Sequence, residues 1–169
     1  PTIPNVEELR EIKSHNFSND SEYIIVRFNE TPTSEVKNQI ANLGGVFHDF
    51  LQNHTYIIQI NNADIRNLNE FSTICSIDSF NVMDFISSDV LKKSGDITLK
   101  ITFFDGVDID SIIVEFKNME INILRIFDYP NIMICTVNSS LIESITDIDG
   151  IKNIQEELAP ITFMNNVRS

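Results

Sequence analysis

The 169-residue chain carries 12 Lys and Arg against 25 Asp and Glu, a formal net charge of −13, and 42% of its residues are apolar. Its longest basic run is Lys92-Lys93, too little positive charge to displace counterions from a phosphate backbone, so nucleic acid is not an expected partner. No apolar run reaches the roughly 20 residues of a membrane-spanning helix, and Cys75 and Cys135, each inside an apolar run, read as small core residues rather than a disulfide framework.

Residues 1–20 are largely polar and begin with Pro1 and Pro4, while Val6, Leu9 and Ile12 fall at helical spacing, and the stretch reads as a leader arm. Tyr23 to Phe28 alternates, with Ile24, Val26 and Phe28 on one face, and predicts a strand. Thr31-Pro32-Thr33-Ser34 then opens a helix that carries Val36, Ile40 and Leu43, and Gly44-Gly45 ends it. Val46 to Leu51 and Thr55 to Ile60 predict two strands around a turn at Gln52-Asn53-His54. Asn61 or Asn62 caps a second helix with Ile65, Leu68 and Phe71, and Ile77 to Phe85 predicts a fourth strand.

The second half repeats the first. Tyr23-Ile24-Ile25-Val26-Arg27-Phe28 lies over Ile97-Thr98-Leu99-Lys100-Ile101-Thr102, and Ile74-Cys75-Ser76-Ile77 lies over Ile148-Asp149-Gly150-Ile151 at the same offset. Asp108 or Asp110 caps a helix with Ile112, Ile113, Phe116 and Met119. Ile121 to Asp128 and Ile132 to Val137 flank a turn at Tyr129-Pro130-Asn131, Asn138 or Ser139 caps a helix with Leu141, Ile142 and Ile145, and Ile151 to Glu157 closes the copy. The order strand, helix, strand, strand, helix, strand, met twice, predicts an α+β protein of two tandem ferredoxin-like βαββαβ units. Each unit would be a four-stranded antiparallel sheet with two helices on one face. The expected division is a leader at 1–20, units at 21–86 and 96–160, a linker at 87–95 and an extended tail at 161–169. Met133, Cys135 and Val137 alternate with Ile132 and Ile134, so both faces of that strand are apolar.

Catalytic and ligand motifs are not found. His48 and His54 have no Cys/His partners at metal spacing. Asp105 to Asp110 and Asp147 to Gly150 lack the spacing of a 12-residue calcium loop and read as caps and turns. A chain with five Gly holds no phosphate-cradling glycine pattern. Neither cofactor nor metal is expected. Ferredoxin-like enzymes that hydrolyse acyl phosphates use an Arg in the loop after the first strand, and Asn29 to Pro32 and Phe104 to Gly106 contain none. The sequons at Asn16, Asn19, Asn29, Asn53 and Asn138 are compatible with the secretory pathway or an extracellular setting, the expected localisation.

The end of the chain has no counterpart in the repeat. Ile154-Gln155-Glu156-Glu157-Leu158-Ala159-Pro160 leaves the last strand with two carboxylates, and Ile161-Thr162-Phe163-Met164-Asn165-Asn166-Val167-Arg168-Ser169 follows. With Gly44-Gly45 before the second strand, the Tyr56-Ile57-Ile58 strand and the Ile-x-x-Ile approach to each last strand, the sequence resembles the N-terminal pro-regions of subtilisin-like serine proteases, in their tandem form. The resemblance spans residues 21–169. It implies a non-catalytic intramolecular chaperone and inhibitor whose partner is the cognate protease domain, with no small-molecule ligand. Glu156 and Glu157 would face helix N-termini of the protease, and Pro160, Ile161, Thr162, Phe163, Met164, Asn165, Asn166, Val167, Arg168 and Ser169 would lie in its substrate cleft. Only the second copy would dock in this way, because the alignment sets Val82-Met83 against the acidic pair. The alternative is a tandem small-molecule sensor of the ACT type, for which Asp105 to Asp110 would be the effector site.

Overall fold

The computed structural model of the protein describes residues 20–158, so the expected leader arm, apart from Asp20, lies outside the described residues. In the first half, β1 (Ser21–Phe28), α1 (Ser34–Asn42), β2 (Val46–Phe50), β3 (Thr55–Asn61), α2 (Ile65–Leu68) and β4 (Ile74–Ser79) follow one another. In the second, α3 (Ser88–Leu91) precedes β5 (Asp96–Phe103), α4 (Ile109–Asn118), β6 (Asn122–Asp128), β7 (Asn131–Asn138), α5 (Ile142–Thr146) and β8 (Ile151–Glu156). The protein is therefore α+β, with two four-stranded sheets ordered β2-β3-β1-β4 and β6-β7-β5-β8, and every ladder within them is antiparallel. The chain divides into two units, Pro1–Asn81 and Val82–Ser169.

Alternation along the central strands builds each core. In the first unit Ile24, Val26 and Phe28 of β1 and Ile58 and Ile60 of β3 form one buried cluster with Ile40 of α1 and Leu68 of α2. The register brings this about: Ile24 stands opposite Ile58, and Val26 opposite both Tyr56 and Ile77, so same-face residues meet across the ladders. In the second unit Ile97, Leu99, Ile101 and Phe103 are all buried, and the first three face Val137, Cys135 and Met133 across the ladder. Ile134, on the other face of β7, is buried as well, so both faces of that strand lose water as its composition predicts.

The local signals at the helix ends act as their chemistry requires. Thr33 has extended backbone, and its hydroxyl accepts a hydrogen bond from the Val36 amide at 3.3 Å, satisfying one of the donors that a helix start leaves over. At the other end Gly44 takes φ +84°. Its amide donates to the Ala41 carbonyl at 2.9 Å, and that of Gly45 donates to the Ile40 carbonyl at 3.0 Å, the bond pair of a Schellman ending. The second unit repeats this ending without glycine. Glu120 donates to Lys117 at 3.0 Å and Ile121 to Phe116 at 2.9 Å, while Glu120 is held at φ +59°, where a side chain is strained.

The two halves correspond with a register that differs from the sequence alignment. The irregularity between Arg27 and Phe28 recurs between Thr102 and Phe103, so Ile24, Val26 and Phe28 match Leu99, Ile101 and Phe103, one residue beyond where the alignment sets them. A one-residue slip exchanges the two faces of a strand, and the alternating apolar residues on both sides of the comparison conceal it. Likewise Ile74, opposite Phe28, matches Ile151, opposite Phe103, and not Ile148. The fourth strand also ends earlier than expected. It stops at Ser79, opposite Ile24, and does not run on to Phe85; a single further bond, from the Phe80 amide to the Tyr23 carbonyl at 3.1 Å, follows it before the chain turns away. Val82–Phe85 forms a 3-10 turn instead, and residues 82–91, read from sequence as strand end and linker, carry Val82, Ile86 and Val90 as buried side chains.

The left-handed position after the long helix of each unit gives a reciprocal expectation. Glu120→Gly relieves strain at an exposed site and raises unfolding stability by about 0.5–1 kcal/mol, whereas Gly44→Ala lowers it by a similar amount. Urea denaturation of the two variants measures both.

Candidate functional site

The two carboxylates singled out in the sequence stand at the end of β8, an edge strand of the second sheet. Glu156 is opposite Leu99 in the ladder, and the amide of Glu157 donates to the Thr98 carbonyl at 2.9 Å, so pairing continues one residue beyond the strand. Leu158, the next residue, is 74% exposed. Pro160 to Ser169 lie outside the described residues.

The flank of β8 is covered by the segment ahead of β5. The Ser87 amide donates to the Ile154 carbonyl at 3.1 Å, Ile86 bridges Ile154 in parallel fashion, and the Asn153 side-chain amide donates to the Phe85 carbonyl at 3.0 Å. This strap leads through α3 to Lys93, whose ammonium pairs with the Glu156 carboxylate. Sequence reasoning missed the strap and the ion pair, although Val82, Ile86 and Val90 recur at intervals of four residues and signal a packed face.

The corresponding site of the first unit carries no carboxylate. Ser79 stands opposite Ile24 as Glu156 stands opposite Leu99, and the Phe80 amide donates to the Tyr23 carbonyl at 3.1 Å as that of Glu157 does to Thr98. Ser79 and Phe80, not Val82-Met83, are therefore the counterparts of the acidic pair. Asymmetry between the copies remains, on different residues.

The other polar groups have local work. Asp108 caps α4: its carboxylate accepts from the Asp110 amide at 3.2 Å, the Ser111 amide at 3.4 Å and the Ser111 hydroxyl at 2.6 Å. The Ser111 hydroxyl, then the Ser111 amide, hold its pKa below the ordinary Asp value. Gly150 closes the Asp147 to Gly150 turn, its carbonyl accepting from the Phe104 amide at 2.9 Å. His48 Nε2 lies 3.0 Å from Gln59 Oε1 and His54 Nδ1 lies 3.0 Å from Thr31 Oγ1. Among the described residues no group of three or more His, Cys, Asp and Glu side chains could hold a metal ion, and no helix is long and apolar enough to cross a membrane.

Among the described residues the most exposed apolar stretch is β6 and the turn after it, where Leu124, Ile126, Phe127 and Tyr129 all face solvent. β6 is the edge opposite β8.

A family model described as a domain of unknown function (DUF8729) matches residues 2–81. The matched span ends at the residue where the first unit ends and leaves the acidic pair outside it. No curated protein and no solved structure matches the chain.

The two cysteines differ sharply in environment. Cys75 is exposed and Cys135 is buried, and burial pushes the Cys135 thiol up to about 12, so it is neither ionised nor accessible at neutral pH. A disulfide reagent at pH 8 is expected to titrate one thiol in the folded protein and two after denaturation. Two fast-reacting thiols in the folded state would contradict this placement.

Proposed function

We propose that each unit is a ferredoxin-like βαββαβ fold and that the chain is a pro-region of a subtilisin-like serine protease, serving as intramolecular chaperone and active-site inhibitor. The strand order β2-β3-β1-β4, repeated as β6-β7-β5-β8, supports the fold reading, as does the sharing of one core cluster by both helices of the first unit. The observation that carries the functional reading is the end of β8. An edge strand runs out in Glu156 and Glu157 with its ladder still intact, and the exposed Leu158 leads directly to the sequence of the tail.

Such an arrangement suits a cleft inhibitor physically. A segment that continued an edge strand in extended form would add to a strand of the protease cleft through main-chain hydrogen bonds, with side-chain pockets setting the register. Carboxylates at its root favour exposed helix N-termini by about 0.3–1 kcal/mol each. A partner that binds only the native protease stabilises it by RT ln(1 + [L]/Kd), about 2.7 kcal/mol at 100 times Kd, and covalent tethering raises the effective concentration further. The protein itself would be non-catalytic and work in the secretory pathway or outside the cell. In the ligand-sensor alternative the candidate segment is Asp105 to Asp110, of which Asp108 caps α4.

The full chain is expected to inhibit a purified bacterial subtilisin in a peptide-hydrolysis assay, and removal of Ile161 to Ser169 to raise the inhibition constant at least about tenfold, through loss of the main-chain pairing. Equal inhibition with and without those nine residues would overturn the cleft-binding reading.

A further inference from the structure

Glu156 and Glu157 are neighbours in sequence but occupy different surfaces. Side chains alternate across a strand, and the ladder says which way each one goes. Glu156 faces Leu99, a fully buried residue, so its carboxylate emerges at the rim of the core face. There it meets Lys93, and its side chain keeps only 21% exposure against 46% for the lysine. Glu157 is paired with Thr98 and shares the opposite face with Gln155, which stands across from Lys100. Among the described residues no ion pair engages Glu157.

The Lys93 contact is set up by the fold around it. The strap is fastened to β8 by the Ser87 amide on Ile154 and by Asn153 on Phe85. Val90, within α3, is wholly buried and anchors the segment just ahead of Lys93. Much of the ordering entropy that makes an isolated surface pair weak is thus already spent by the packing of the strap.

We propose that Lys93 retains Glu156 as an intramolecular pair, so that Glu157 alone is the carboxylate the second unit gives to its protease; this rests on the pro-region reading. A carboxylate that turns to amide donors of a partner gains charge-assisted hydrogen bonds. Glu156 would surrender an ammonium to do so, and from the wrong face of the strand. Among the described residues Glu157 has no ion pair to surrender. Lys93 is then a positioning residue that fixes the end of β8.

The test uses the full chain carrying Glu156→Gln, Glu157→Gln or Lys93→Met as an inhibitor of a purified bacterial subtilisin. Thermal unfolding of each variant verifies that the fold is kept. Glu157→Gln is expected to weaken inhibition about tenfold, the loss of a charge-assisted contact, while Glu156→Gln changes it less than about twofold, as for a surface pair. Inhibition by the unaltered chain together with a Glu156→Gln loss as large as that of Glu157→Gln overturns this inference alone. A protease left at full rate by the unaltered chain overturns the pro-region reading on which it rests.

Discussion

The period-two alternation of β5, clamped between β7 and β8, is the constraint on which the second unit depends. Because Leu99 and Ile101 are buried, the residues opposite them on both neighbouring strands must lie on the same face. Cys135, Met133 and Ile154 are drawn into the core by that rule, and Glu156 is set at its rim. The rule also turns Glu157 outward. A chemical motif of two identical residues is split by backbone geometry onto opposite faces of the sheet, with only Glu156 beside Lys93.

Much of this was legible in the sequence. The alternation of Ile24, Val26 and Phe28, the Thr33 cap and the glycine after α1 are local signals, and each element stands within a few residues of where they place it. Pairing across the two copies was harder to read. The first strands align equally well one residue apart, since Ile, Leu and Val occupy alternate positions on both sides, and only the ladder irregularity before Phe28 and Phe103 selects the true correspondence. The fourth strand was overextended for a similar reason: apolar residues continue through Val82 and Phe85, but there they belong to a 3-10 turn, with Val82 buried, and not to the ladder with β1.

The candidate site was half legible. Two adjacent glutamates at the end of a repeat, followed by sequence with no counterpart, mark the place. Their unequal surroundings depend on Lys93, 63 residues away in sequence, brought in by a strap whose apolar spacing resembles that of a helix face. Long-range pairing of this kind leaves no periodic trace. Where a residue's role follows from its neighbours in sequence, as with Asp108 and Ser111 in the cap of α4, composition and spacing suffice.

The central claim concerns what the second unit is built to hold, and the coding sequence immediately after Ser169 tests it most directly. The pro-region account predicts an uninterrupted reading frame that continues into a protease domain with its Asp, His and Ser motifs in the subtilisin order. A stop codon at that point, or a frame leading into a domain of another class, would contradict it.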